Sequence, residues 1–586
     1  METFTKILEK NYREVPDRTA LTLLSSDKSE KSYTHREFLT CSERYSQALQ
    51  SSGIMPGEVA ILILDHGEDL ICAFFGAVLY GVIPSIMPFL TEKLSPDSYR
   101  KSLISLFKIT SPAAVITSPG FEQDVLNASQ GTGVRCILTD KEIKMNFSPG
   151  RQVDFSHLPG THQSPEQIVL LQHSSGTTGL QKGVALSHRA VRNQIDNYSA
   201  ALLLNSGDVI VSWLPLYHDM GLIAGFILPI LKQIPLVLMS PFDWIRAPYR
   251  LLQSISDYQG TLSWIPNFAF NFCTQKIRDK DLVNVDLSSL RALINCSEPM
   301  YWNSHKKFLE RFEPSGLRSK SLATSYAMAE NVFAVTQGGI ETDVMVDIID
   351  RGAFNQNRIA KPLTHPRKWE KSLNIKDQEI NRPHIKMLSA GKPIPGTEIR
   401  IHGPDGEDLP DRHVGEIVIK SEYMLSGYYN RPDLTNEAFR DGWYMTGDLG
   451  YISGEELYVT GRIKDLIIVG GKNIYPQDLE TLAGEVKGVH PGRVAAFGVY
   501  SEKSGTEEVV LIAESDLDIK FAGEPETIPE IERIADEIRD KITRGTDITL
   551  RKVHIVGKNW LIKTSSGKIA RNTNREKYLS EMAQPE

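Results

Sequence analysis

Residues 172–183 read Gln-His-Ser-Ser-Gly-Thr-Thr-Gly-Leu-Gln-Lys-Gly. Small residues let the main chain approach an anion closely, hydroxyls and N–H groups supply donors, and Lys182 adds a point charge. This composition suits the holding of a polyphosphate. It departs from the P-loop, because Gly183 follows Lys182 and the glycines are spaced differently. A Ser/Thr/Gly run is also a common loop, so its meaning depends on the residues further along the chain. Five further clusters carry chemistry-capable side chains: Trp213–Gly221 with His218, Asn295–Pro299 with Glu298, Ser325–Glu330 with Tyr326, Tyr444–Gly450 with Asp448 running on to Gly461–Asp465, and Lys563–Lys568. Taken singly, each has an ordinary reading. His218 fits a turn, Glu298 and Glu330 fit solvated carboxylates, Asp448 fits a turn cap and Lys568 fits a charged tail.

The elements that must position these residues form a pattern. Short apolar runs at Val59–Leu64, Ala113–Thr117, Val209–Ser212, Leu236–Met239 and Ala292–Asn295 alternate with helix-like stretches such as Thr34–Ser51 and Trp302–Phe312. That alternation predicts parallel sheets covered by helices. From about residue 395 the texture changes. Glu398–His402, Gly415–Lys420 and Leu457–Thr460 alternate apolar and polar residues between Gly/Pro/Asp turns, which predicts antiparallel structure or a small barrel over about 390–460. Beyond about 465, Asp465–Val469, Pro476–Glu485, Val494–Val499, Glu508–Ala513 and the polar helix Ile528–Ile542 predict a small α+β unit. The expected fold class is therefore α/β, divided into 1–462 and 463–586.

The chain has 586 residues, a net charge of −8 and ordinary hydrophobic and charged fractions of 41% and 24%. Its length suits two or more domains. Its acidity argues against a nucleic-acid partner. The five cysteines, Cys41, Cys72, Cys136, Cys273 and Cys296, lack metal-ligand spacing and suit a reducing, cytoplasmic setting. The first residues lack the layout of a secretion signal. Residues 70–90 form 21 positions without a charge, long enough to span a bilayer, yet they contain Gly76, Gly81, Pro84 and Pro88. A buried helix feeding a buried strand is the expectation there. Residues 222–242, interrupted by Lys232 and Pro235, are read likewise.

With the six clusters in this order, the chain resembles the adenylate-forming superfamily of acyl-CoA synthetases, adenylation domains and luciferase, over about residues 5–575. Within it, the chain is most similar to the fatty acyl-AMP ligases. The similarity lies in Ser212–Pro215 running into Tyr217–Gly221, in Pro266–Phe270 with Cys273, and in Gly461–Ile468 continuing to Asn473–Glu480. It also lies in the 61 positions from Glu330 to Gly391 (391 − 330), where CoA ligases are shorter. The resemblance implies the inserted segment linked to poor CoA use. Residues 351–386 hold nine Lys/Arg against three Asp/Glu, which suits encounter with an acidic acyl carrier protein or, equally, a solvated loop.

The chemistry implied has two steps. A fatty acid carboxylate attacks the α-phosphate of ATP to give acyl-AMP and pyrophosphate, and a thiol then takes the acyl group. Carried onto this sequence, Ser174, Ser175, Gly176, Thr177, Thr178, Gly179 and Lys182 would cradle the β- and γ-phosphates. Glu330 would hold Mg²⁺. Tyr326 would stack on adenine within Ser325-Tyr326-Ala327-Met328, and the backbone around Cys296, Ser297 and Glu298 would meet the adenine edge. Asp448 would accept from the ribose hydroxyls and Arg462 would reinforce that side. Lys568 would bridge the carboxylate and the α-phosphate, with His218 beside them. Met220, Ile265 and Phe268 are the candidates for the acyl tunnel mouth, and Lys464 falls at the family's hinge. Gln181, Ala327 and Cys296 depart from the usual Pro, Gly and Gly, and Ala327 is expected to crowd its backbone. An acyl-CoA synthetase and an inactive nucleotide-binding scaffold remain the alternative readings.

Overall fold

The computed structural model describes every residue except 1, 28, 90–95, 149–151, 175–181, 374–379, 381, 470–471, 502–505, 516–527, 547–549, 551, 565–566 and 583–586. Seven strands form the larger sheet, in the order Leu322–Thr324, Ala292–Asn295, Leu262–Ile265, Ile210–Ser212, Leu236–Met239, Thr19–Leu24 and Glu30–Thr34. All neighbours are parallel except the last pair. A second, four-stranded parallel sheet has the order Ile83–Ile86, Val59–Ile63, Ala114–Thr117 and Cys136–Thr139. Its central strand Val59–Ile63 is buried along its whole length, as a strand covered on both faces must be. The α/β architecture expected from the alternating runs is present, with boundaries shifted by one or two residues.

The helix read as Thr34–Ser51 runs over His35–Ser51, and Thr34 is its cap. Glu37 N–H donates to Thr34 Oγ1 at 3.2 Å, and Thr34 N–H donates to Glu37 Oε2 at 2.8 Å, a reciprocal capping box. The uncharged stretch near residue 70 is the buried helix Glu68–Tyr80 followed by the strand Ile83–Ile86. Among the described residues no helix is long and apolar enough to cross a membrane. Pro84 sits in a strand that pairs within its sheet only with Val59–Ile63, an edge position where a missing N–H is tolerated.

The antiparallel region is a five-stranded sheet containing Thr397–His402, Gly415–Ser421, Trp443–Ser453 and Glu456–Arg462. From Ile467 onward the chain has its own core, in which Leu479, Leu511, Ile534, Ile538 and Ile542 are fully buried. There the strands Val489–Ser501 and Thr506–Ser515 pair antiparallel, and Lys552–Val556 lies parallel to the second.

Candidate active site

Four adjacent parallel strands of the large sheet deliver four of the motifs. Trp213–Gly221 follows Ile210–Ser212, Pro266–Phe268 follows Leu262–Ile265, Cys296–Glu298 follows Ala292–Asn295, and Ser325–Glu330 follows Leu322–Thr324. The carboxyl ends of parallel strands are where open α/β sheets leave a crevice for ligands. The clusters are far apart in sequence and meet because their strands are neighbours.

The first cluster leads into Met220–Ile227, wound as a π-helix, a form that recurs at functional sites. Gly221 is required there: a Cβ would lie 2.2 Å from the Pro215 carbonyl oxygen. His218 is half-buried with its ring edge-on to Tyr217, 4.8 Å between centroids. Asp219 accepts from Met220 N–H at 2.8 Å, and burial pushes its carboxyl above the usual range, with Lys568 opposing.

Cys296 is fully buried, and burial raises its thiol to about 12, which leaves it protonated and unreactive. Ser297 takes φ 67, a left-handed conformation, and its hydroxyl lies 3.9 Å from Met220 Sδ. Glu298 is not idle: its Oε2 accepts from Phe268 N–H at 2.9 Å, at the start of the helix Asn267–Lys276. Ala327 does not take positive φ; near these motifs the non-glycine residues that do are Ser297 and Val332. Val332, at φ 62 just beyond Glu330, is β-branched and therefore strained.

Tyr326 and Asp448 are joined directly. Tyr326 O–H donates to Asp448 Oδ2 at 2.7 Å, and Arg462 Nε donates to Asp448 Oδ1 at 2.9 Å. The second contact follows from sheet register, since Asp448 and Arg462 face each other across two antiparallel strands. Ser325 anchors the motif, its hydroxyl donating to the Thr336 carbonyl at 2.8 Å. Met328 N–H donates to the Phe333 carbonyl at 2.9 Å.

Glu330 has partners the sequence did not announce. Tyr428 O–H donates to its Oε1 at 3.0 Å, and the Tyr428 and Tyr444 hydroxyls are 2.9 Å apart. With the Tyr428 proton committed to Glu330, Tyr444 is the donor in that second bond. Burial pushes the Glu330 carboxyl above the usual range, Asp219 adds to this, and Lys182 opposes it. Lys182 Nζ lies 4.7 Å from the Tyr428 ring centroid. Ser174 and Lys182 form one rung of the hairpin Ile168–Ser174 and Lys182–Ser187, so the loop's ends are held together. Ser175, Gly176, Thr177, Thr178 and Gly179 lie outside the described residues.

Lys568 sits on a tight turn. Thr564 N–H donates to the Lys568 carbonyl at 2.8 Å, and Gly567 takes φ 82, which a side chain would strain. The ammonium is half-buried within electrostatic reach of Arg462, Glu298, Asp219 and Cys296. Burial lowers its pKa, Arg462 lowers it further, and the two carboxylates oppose that. Lys464 is exposed in the short turn Ile463–Asp465 directly after Arg462. Of the three candidate acyl residues, Ile265 is buried inside the core, Met220 is 5% exposed and Phe268, at 37%, is the one that reaches the surface. Phe268 meets the edges of Trp213 and Trp244, whose rings stack at 3.6 Å.

Residues 8–429 match the family of AMP-binding enzymes. A long-chain-fatty-acid–AMP ligase, FadD26 of Mycobacterium bovis, is 28% identical over 98% of this chain and 97% of its own length. A medium-chain-fatty-acid–[acyl-carrier-protein] ligase, JamA of Moorena producens, is 29% identical over 95% of this chain and 91% of its own. A solved structure from a study of fatty acyl-adenylate ligases of E. coli and L. pneumophila superposes with a TM-score of 0.85 at 26% identity, covering 99% of this chain and 98% of the other. A fatty acyl-adenylate ligase from L. pneumophila, solved with acyl adenylate and pyrophosphate, gives 0.70 at 25% identity, covering 99% and 96%. With the match spanning well over half of its length and the crevice built from the motifs above, the chain belongs to the AMP-binding enzyme family.

Proposed function

We propose that this protein is a fatty acyl-AMP ligase, which joins a fatty acid to the AMP moiety of ATP with release of pyrophosphate and then passes the acyl group to an acyl carrier protein. The observation that carries the reading is the placement of Lys568 in the crevice where Asp219, Glu298 and Arg462 also meet. The first step brings a carboxylate to a triphosphate. Two unit charges ~4 Å apart repel by about 4 kcal/mol at an effective dielectric near 20. Lys568 offsets that repulsion on the acyl and α-phosphate side, and Lys182 does so on the pyrophosphate side. Asp448, held by Tyr326 and Arg462, accepts from the ribose hydroxyls. His218 flanks the acyl carboxylate.

Mg²⁺ fits the Glu330 corner. Among the described residues no group of three His, Cys, Asp or Glu could hold a metal by itself. One buried carboxylate with a raised pKa is what a cation sharing its ligands with phosphates and water would take. Bound there, the cation would offset the negative charge of the phosphates. Tyr428 orients Glu330 for this. A hydrogen bond to a charged group contributes about 1.5–3 kcal/mol, so Tyr428→Phe is expected to raise the Mg²⁺ concentration needed for half-maximal acyl-AMP formation by at least about tenfold. Titration of Mn²⁺ by electron paramagnetic resonance, with ATP present, checks this apart from turnover.

The division at 462/463, with Lys464 as hinge, accords with the core that the chain builds from Ile467 onward and with the turn Ile463–Asp465, in which Lys464 is exposed. The inserted segment lies against the small domain. The Phe354 ring is 5.2 Å from the Tyr475 ring, and Asp478, raised to about 6 by burial, feels the charge of Arg351. A rotation about Lys464 would have to break this seam, which supports poor use of free CoA. Incubation with ATP, a medium- or long-chain fatty acid and CoA is therefore expected to accumulate acyl-AMP, and abundant acyl-CoA would replace this reading with that of an acyl-CoA synthetase. The carrier would meet the basic face of the insertion, where Lys368 and Lys371 are exposed while Arg367 is half-buried. Reversing Lys368 and Lys371 to Glu is expected to slow transfer to the carrier several-fold at low salt while sparing adenylation.

A further inference from the structure

The turn that carries Lys568 is braced from behind by the last helix, Arg571–Glu581, which begins three residues later. Asn574, fully buried, grips the base of the turn: its Oδ1 accepts from Ile562 N–H at 2.8 Å, and its Nδ2 donates to the Ile562 and Ala570 carbonyls at 2.8 and 2.9 Å. Arg571 reaches the other way. Its Nε and Nη2 donate to the two oxygens of Glu480 at 2.8 and 2.7 Å, and its Nη1 donates to Asp465 Oδ2 at 2.6 Å. The side chains of Arg571, Glu480 and Asp465 are only 19%, 14% and 10% exposed. Glu480 is itself fixed, since its Oε1 also accepts from Ala496 N–H at 3.0 Å. Asp465 is the last residue of the Ile463–Asp465 turn that contains Lys464.

A planar guanidinium gripping one carboxylate with two bonds and a second with a third has its orientation fixed, which a lysine could not reproduce. Partial burial makes these bonds stronger than surface pairs. The chain thus has a rigid strut running from the turn after Arg462, through Arg571, to the turn of Lys568.

We propose that Arg571 is a positioning residue for Lys568: by clamping Asp465 and Glu480 it ties the lysine turn to the segment after Arg462, so that the position of that segment dictates where the ammonium lies. The inference rests on the adenylating reading and adds a residue and a physical coupling to it. Arg571 matters for the step that uses Lys568 and not for the step that does not. A displacement of about 1 Å of a reacting group costs roughly a hundredfold in rate, so loss of the clamp falls on acyl-AMP formation.

The test uses the full chain and two half-reactions: single-turnover formation of acyl-AMP from ATP and fatty acid, monitored by mass spectrometry, and transfer of the acyl group from presynthesised acyl-AMP to a carrier-protein thiol. Arg571→Met is expected to slow the first by about a hundredfold and to leave the second within about twofold. In a Lys568→Ala background the same substitution is expected to change acyl-AMP formation by no more than about twofold, because residues acting through one another are not additive. Asp465→Asn, which removes the charge and so weakens only the bond toward the hinge-side turn, gives the same pattern in smaller degree and serves if Arg571→Met lowers the melting temperature enough to unfold. Equal losses in both half-reactions, or the same fractional loss with and without Lys568, would overturn the proposal in favour of a general structural role. A wild-type protein that forms no acyl-AMP at all would instead refute the adenylating reading.

Discussion

Lys568→Ala is expected to lower fatty-acid-dependent pyrophosphate exchange by roughly 10²–10³-fold, the usual cost of removing a preorganised electrostatic stabiliser from a transition state. The reason lies in where the charge sits. Lys568 is held on a turn fixed by Gly567 and Asn574, and faces the carboxylates of Asp219 and Glu298 with Arg462 close by. Its charge gains value as negative charge builds on the pentacoordinate phosphorus. Binding of ATP, which depends on other groups, is expected to change little, so the loss appears in kcat. Transfer from supplied acyl-AMP to a thiol is expected to survive. The pH profile carries the same signature. Burial lowers the pKa of this lysine, and a lysine is charged below its pKa, so exchange in the free enzyme declines on the alkaline side at a lower pH than an exposed lysine would give.

Asp448→Asn is expected to raise KM for ATP by at least about tenfold with a smaller change in kcat, since a hydrogen bond to a charged group contributes about 1.5–3 kcal/mol and the buried carboxylate would lose its charge while the half-exposed Arg462 keeps its own. The carboxylate is 6% exposed and holds Arg462 with one oxygen and Tyr326 with the other. An amide keeps the shape but removes the charge that orients the guanidinium and weakens the acceptor that the Tyr326 hydroxyl uses. Burial raises the Tyr326 phenol, with the Asp448 charge adding to it, so the phenol is a donor at every working pH. On the proposed reading, the ribose would therefore lose the geometry of its site as well as a ligand. Isothermal titration with a non-hydrolysable ATP analogue separates this from any effect on the chemical step. Unchanged affinity would place the ribose elsewhere.

Much of this site was legible in the sequence because parallel sheets announce themselves. The runs Val209–Ser212 and Ala292–Asn295 predicted buried strands, and a motif follows each, so a crevice at their carboxyl ends is a consequence of architecture. Their neighbours Leu262–Ile265 and Leu322–Thr324 are less legible, because Ser263 and Thr324 interrupt runs that are already short. The remaining contacts depend on pairing between distant segments. Tyr428 reaches Glu330 because Gly427–Tyr428 adds to the edge of the strand Lys182–Ser187, with Tyr428 opposite Val184. No local pattern encodes that register. Asp448 faces Arg462 only because the pairing of their strands shifts between Leu449 and Gly450. The same limit applies to Arg571, whose partners lie 91 and 106 positions away. Backbone conformation is hidden for a related reason. Residue type draws attention to Ala327, but φ is set by the turns that bring motifs together, and near these motifs the positive non-glycine values fall on Ser297 and Val332. Helical periodicity likewise does not reveal the π-helical winding after Asp219 or the close approach of Gly221 to Pro215 within it.

One ammonium group must meet two anions in the crevice for the first step to proceed as proposed. Crystals grown with a fatty acyl-sulfamoyl adenosine, a stable mimic of acyl-AMP, test this most directly. The expected density places Lys568 Nζ within hydrogen-bond distance of the sulfamoyl oxygens or the acyl carbonyl, the ribose hydroxyls on Asp448 and the adenine beside Tyr326. Clear density for the ligand in the crevice with Lys568 directed away from it, in a chain that keeps Arg571 on Asp465 and Glu480, would contradict the proposed role of this lysine and with it the adenylation mechanism.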